Sequence, residues 1–254
     1  MAPCYRAAVD SATISRPPLR SVAEPEALAV EWLGRVPYRD AWALQKDRHA
    51  ARVDGRIGDS LLLVEHPAVL TLGRHADERH VVAPAAELGA RGIEVIRVER
   101  GGEVTYHGPG QLVAYPILAL SRRGLLIRPL VRALEAAMAA TCAAFGVPAA
   151  RRDGHPGCWC DPDGPAPRKI GALGIRVERG VTYHGIALNV APDLADFKLI
   201  EACGMPGVVS TSVARELGGV PAPGGTKLVE RAGRIFAEAL ATELRATQPS
   251  GVRD

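Results

Sequence analysis

Lys169-Ile-Gly-Ala-Leu-Gly-Ile-Arg-Val-Glu178 and Val181-Thr-Tyr-His-Gly-Ile-Ala-Leu-Asn-Val190, separated only by Arg179-Gly180, read as two extended arms folded back at a glycine. Glycine reaches the left-handed backbone that a tight hairpin needs. Upstream, Ser60–Glu65 and Ala68–Leu72 predict two strands around the His66-Pro67 break. Ile93–Val98 and Gln111–Leu118 predict two more, the second preceded by a glycine-rich loop, Arg100–Gly110. Apolar residues at helical spacing predict helices over Tyr38–Val53 and Pro129–Phe145, and over about Lys227–Leu244. Shorter helices are expected at Pro84–Ala90 and Ser210–Leu217, and a loop at Asp153–Arg168. Strands and helices mix without regular alternation. The expected class is therefore α+β, one domain with a mixed, largely antiparallel sheet flanked by helices.

Composition narrows the function classes. The chain has 254 residues, 47% hydrophobic and 23% charged, which is ordinary globular usage. A net charge of +3 provides no basic stripe for nucleic acid. Val104–Ser121 and Ala136–Ala150 are the longest runs free of Asp, Glu, Lys and Arg, and prolines and polar residues interrupt both. Neither reads as a membrane span. No basic start leads into an apolar run, so no secretory signal is expected and the location is read as cytoplasmic. Five irregularly spaced cysteines suit a reducing compartment better than a disulfide framework. A folded unit is expected over residues 25–248, between tails at 1–24 and 249–254. Of 31 Lys and Arg, only Lys46, Lys169, Lys198 and Lys227 are lysines, a bias that leaves few cations able to give up a proton.

Several chemistries lack their motif. Gly224-Gly-Thr-Lys227 is no phosphate loop, and neither a dinucleotide-binding glycine pattern nor a Gly-x-Ser-x-Gly elbow occurs. Cys158-Trp159-Cys160 has too short a gap for structural zinc and no second ligand pair, so packed cysteines and no metal are expected. Arg100-Gly-Gly-Glu-Val-Thr-Tyr-His-Gly-Pro-Gly-Gln111 is the densest feature: its glycines bring backbone N–H groups close to something, as a binding loop or as a complex turn. Val98–Gly108 is echoed by Val177–Gly185, and two such corners face to face would line one cleft with His107 and His184. Cys203, in Ala202-Cys-Gly-Met-Pro-Gly207, is either a packed core thiol or an exposed nucleophile in a loop. Lys169, at a strand start, reads by itself as a solvated charge.

Four blocks together, Arg100–Gln111, Lys169–Gly174, His184–Asn189 and Ala202–Gly207, closely resemble the lipoyl(octanoyl) transferases in order and spacing, over about residues 30–245. The resemblance implies the fold shared by biotin–protein and lipoate–protein ligases. It implies transfer of an octanoyl or lipoyl group from acyl carrier protein to a lysine of lipoyl domains, with no cofactor. The acceptors would be lipoyl domains of 2-oxoacid dehydrogenases and the glycine-cleavage H protein. By carry-over, Cys203 forms the acyl thioester and Lys169 lowers its pKa and acts as base. Arg100, Gly101, Gly102, Glu103, Val104, Thr105, Tyr106 and His107 would bind the acyl chain, with Ala172, Leu173, Gly174, Gly185, Ile186 and Ala187.

Leu173, Ile186 and Leu188 are expected walls of an apolar slot, and backbone N–H groups in Ala172–Gly174 or near Cys203 are candidate oxyanion donors. His107 and His184 are either orienting groups or hydrogen-bonded structural ones. Three rivals remain: an ATP-dependent lipoate–protein ligase of the same fold, a non-catalytic acyl- or carrier-binding domain, and a cysteine hydrolase.

Overall fold

A computed structural model describes residues 27–201, 207–219 and 225–247. In chain order its elements are β1 (Ala29–Arg35), α1 (Tyr38–Val53), β2 (Ser60–Glu65), β3 (Val69–Leu72), α2 (Ala85–Ala90), β4 (Glu94–Arg97), β5 (Val104–His107) and β6 (Gln111–Ile117). There follow α3 (Ile127–Ala144), β7 (Ala150–Arg152), β8 (His155–Cys160), β9 (Arg168–Glu178), β10 (Val181–Asn189), β11 (Val209–Ser210), α4 (Val213–Glu216) and α5 (Thr226–Ala246). Among the described residues, the main sheet runs β1-β2-β6-β10-β9-β8-β7, with β11 beside β9. A second sheet runs β4-β3-β5. Strands β1, β4 and β11 pair in parallel and the rest antiparallel, so the sheet is mixed and largely antiparallel, as expected.

The period of the strands sorts the core into two layers. On β2, Leu61 and Leu63 join Leu130, Leu134 and Met138 of α3 and Phe236 and Leu240 of α5, while Leu62 and Val64 point to Ala41 of α1. Helices thus cover both faces of the main sheet. The second sheet packs its own cluster, in which Leu70, Leu72, Val104 and Tyr106 meet Leu199. The β9–β10 hairpin forms where predicted. Glu178 faces Val181 across a two-residue turn, and Arg179 and Gly180 both have positive φ, +49° and +77°.

Three expectations need correction, and one strand is added. Ala29–Arg35, outside every element the sequence predicts, lies parallel to β2 at the sheet edge. The loop expected at Asp153–Arg168 holds β8, which enters the sheet with Cys158, Trp159 and Cys160 all buried; the prolines and glycines on either side conceal it. Val104–His107, inside the expected glycine-rich loop, is β5 and pairs with β3. The helix expected at Ser210–Leu217 is a single turn, Val213–Glu216: Ser210 belongs to β11, Ser212 caps the start by accepting from Arg215 N at 3.2 Å, and Gly218 at φ +74° ends it.

Candidate active site

The site grows from an irregularity in β9. Cys158 of β8 faces Gly171 and the next residue, Trp159, faces Lys169, which leaves Ile170 as an extra residue in β9. Such a bulge bends a strand and re-aims a side chain. Here it sends buried Lys169 back along β8, where its Nζ donates to the Pro156 carbonyl at 3.1 Å and lies 5.0 Å from the Trp159 ring centroid. Gly157, at φ +129°, leaves room for that path: a Cβ there would sit 3.0 Å from Lys169 Cε and 2.4 Å from the Gly171 oxygen.

Beyond Gly171, β8 no longer pairs with β9 and the sheet opens. The glycine-rich loop straps the far end of the gap, because Gly101 N donates to the Ile175 carbonyl at 3.2 Å. Gly174 permits the approach; a Cβ on it would be 2.6 Å from the Gly101 oxygen. Gly185 serves packing instead, since its Cβ would lie 1.9 Å from the Ala114 oxygen on β6.

Arg100 is buried and pinned by Thr71. Its Nη2 donates to the Thr71 carbonyl at 2.6 Å and, with Nε, to Thr71 Oγ1 at 2.9 and 3.2 Å. The Gln111 amide nitrogen donates to Asn189 Oδ1 at 2.9 Å, so Gln111 Oε1 accepts from His107 Nδ1 at 2.8 Å. His107 Nε2 is then the bare nitrogen, facing Thr71 Oγ1 at 3.4 Å. Burial pushes His107 down to about 3, helped by nearby His66, so the ring is neutral. His184 is 1% exposed at φ +55°, its N–H held by Gln45 Oε1 at 2.9 Å. Its Nε2 stands 3.5 Å from Glu99 Oε2; burial nevertheless lowers its pKa.

These parts enclose a cavity of about 430 Å³. Its walls include Lys169, Ala172, Leu173 and Gly174 from β9, and Gly185, Ile186 and Ala187 from β10. Arg100, Gly101, Gly102, Glu103, Val104, Thr105 and His107 complete one side, with His184. The two echoed corners therefore do meet, and His107 and His184 line one cleft. Tyr106 points away, into the second sheet's core against Phe197, with its hydroxyl donating to Asp196. Leu188 is buried in the main core and not in the wall. Cys203 lies outside the described residues; β11, six residues downstream, pairs Ser210 with Lys169, and Thr211 N donates to the Lys169 carbonyl at 2.9 Å.

Sequence reasoning missed Tyr38, Tyr115, Ile127, Val131 and Gly154–Pro156, which also line the cavity. Ile127 and Val131, one turn apart on α3 and off the Leu130–Leu134–Met138 ridge, were the readable sign. Among the described residues no group of three or more His, Cys, Asp and Glu is placed to hold a metal, and no helix is long and apolar enough to cross a membrane.

Comparison with known proteins adds the family. Residues 37–222 match the family described as lipoyl protein ligase A/B catalytic domain. An octanoyltransferase of Chloroflexus aurantiacus is 46% identical over 213 residues, covering 83% of this chain and 94% of its own. That of Chloroflexus aggregans is 48% identical over 195 residues, covering 76% and 87%. A solved structure of an archaeal lipoylation system, a bi-partite lipoate protein ligase and its E2 lipoyl domain from Thermoplasma acidophilum, superposes with a TM-score of 0.61 at 14% identity. The match covers 87% of this chain and 92% of that one, and it speaks for the fold. With nearly half its residues shared along most of its length, the chain belongs to the octanoyltransferases, acyltransferases of protein lipoylation built on the lipoyl protein ligase A/B catalytic domain.

Proposed function

We propose that the chain transfers an octanoyl group from the thioester of acyl carrier protein to a lysine of lipoyl domains, through a thioester on Cys203. The supporting observation is Lys169, a buried lysine in the wall of a largely apolar cavity. Burying an octanoyl chain there contributes about 0.8 kcal/mol per methylene, enough to hold the acyl group while both partners come and go. The Cys203 thiol passes its proton to the neutral Lys169 amine, giving a thiolate–ammonium pair; the thiolate attacks the carrier thioester, and the carrier thiol leaves with the proton that Lys169 returns as the new C–S bond forms. The acceptor amine then attacks the acyl-cysteine, Cys203 departs as thiolate, and Lys169 takes the amine proton. One thioester replaces another, so no nucleotide is needed, and amide formation runs downhill.

The tetrahedral intermediates need a donor at the oxyanion. Ile175 turns its carbonyl away from β10 toward Gly101, and strand alternation gives Leu173 the same orientation, with its N–H at the open edge of β9. Leu173 N–H is the donor we assign. The acceptors in this reading are lipoyl domains of 2-oxoacid dehydrogenases and the glycine-cleavage H protein.

Intact-mass analysis after incubation with octanoyl-carrier protein tests the scheme. A hydroxylamine-labile octanoyl adduct on Cys203, lost in Cys203→Ser together with transfer, is expected. Transfer that survives Cys203→Ser and requires ATP would replace this reading with a ligase.

A further inference from the structure

The N-terminal turn of α3 carries an unusual surface beside the cavity. Leu126 and Ile127 are 74% and 53% exposed, adjacent in sequence, and Ile127 with Val131 forms the cavity rim. The next ridge of the helix is Arg128 and Arg132, both exposed, with exposed Arg122 just upstream. None of the three arginines forms an ion pair among the described residues. Like charges one helical turn apart disfavour a helix by a few tenths of a kcal/mol, so the pair works against the stability of α3.

A second observation points the same way. Leu126 occupies the N-cap and offers no side-chain oxygen to the first-turn N–H groups. Most helices place Ser, Thr, Asp or Asn there. The end of α3 thus combines uncapped donors, the positive end of the helix dipole, guanidinium groups and bare apolar side chains. An acidic partner supplies what each of these lacks: carboxylates for the donors and cations, and an apolar contact for Leu126.

We propose that this turn is the docking surface for the acidic carrier domain that delivers the acyl thioester, an inference that rests on the carrier-donor reading above. The donor is favoured over the acceptor because the lip is apolar and continuous with the cavity. An acyl chain leaving its carrier stays in contact with Ile127 and Val131 as it enters, whereas an incoming lysine gains nothing from such a lip.

The test compares two octanoyl thioesters, of acyl carrier protein and of N-acetylcysteamine, on the wild type, on Arg128→Glu/Arg132→Glu and on Leu126→Ser. With the carrier substrate, kcat/KM is expected to fall about tenfold or more in the double variant and to lose most of its salt dependence. Leu126→Ser is expected to lower it by a smaller factor. With the small thioester both variants stay within about twofold of wild type, which also reports an intact fold. Equal loss on both thioesters, no loss on the carrier, or a rise confined to the KM of the lipoyl-domain acceptor would each overturn the proposal. A wild-type enzyme that takes no octanoyl group from the carrier fails the underlying reading instead, and does so before any variant is made.

Discussion

Trp159 and Lys169 face one another across the β8–β9 ladder, the ammonium 5.0 Å from the indole centroid and the indole N–H donating to the His155 carbonyl at 3.0 Å. The indole thus steadies both the cation and the strand whose Pro156 carbonyl holds it. A cation over an aromatic face is worth about 0.5–2 kcal/mol. Trp159→Leu should therefore lower kcat roughly 2- to 30-fold with KM for the acyl donor little changed. An unchanged kcat in a folded variant would show that the ring only fills space.

Lys169→Arg keeps the charge and removes the ability to exchange a proton. Turnover should drop about a hundredfold or more while the melting temperature stays near that of the wild type. Near-normal turnover would remove Lys169 from proton transfer.

Gly174→Ala should push the Gly101 strap off β9, because the new Cβ would lie 2.6 Å from the Gly101 oxygen and 3.3 Å from Arg100 Cδ. We expect a loss of about 1–3 kcal/mol and a raised KM for the acyl donor. Gly89→Ala in α2, with nothing within 4 Å of its Cβ, should be neutral or stabilising by about 0.5–1 kcal/mol. Denaturant melts of the two variants give the comparison.

Acid should unfold the protein in a window set by its buried histidines. Burial lowers His66 to about 4 and His107 to about 3, so the unfolded chain binds their protons first. Stability is then complete above about pH 6.5 and declines as pH falls toward 4, by about 1.4 kcal/mol per pH unit for each histidine. Glu99, held near 2 by its contact with His184, contributes only below the ordinary carboxylate range. Denaturant midpoints between pH 6.5 and 5 should show this slope, and His107→Gln should flatten it.

Native-state thiol labelling should spare three cysteines. Cys142, Cys158 and Cys160 are buried. Contact with Cys142, then burial, drives the Cys158 thiol far up, and burial lifts Cys160 to about 12. A brief maleimide pulse at pH 8 followed by peptide mapping should find all three unmodified. Labelling of any of them at a rate near that of a free thiol would contradict the packing.

Where a pattern is local, the sequence was readable. Gly180 marked the hairpin, helical spacing marked α1, α3 and α5, and the echoed Val-Thr-Tyr-His-Gly segments anticipated His107 and His184 in one cleft. What was hidden depends on distant partners. β8 reads as a loop because His155-Pro156-Gly157 resembles turn chemistry, and only pairing with β7 and β9 makes it a strand. Tyr106 sits inside a binding-loop motif, yet pleat alternation sends it to the opposite core. Ile127 lies ahead of the helix expected from Pro129, and although Val131 sits off the Leu130–Leu134–Met138 ridge, only the folded sheet shows that this second ridge faces a void.

The extra residue Ile170 also sets the aim of its neighbour: without it Lys169 would still stand opposite Trp159 and Gly171 opposite Cys158, but in a regular ladder that lacks the bend. A variant lacking Ile170 is expected to retain both sheets, the glycine strap and the acyl cavity, with the Lys169 amine no longer turned back toward the Pro156 carbonyl. Chain length at this one point, as much as the identity of any side chain, decides whether the scaffold is an enzyme or an inert container.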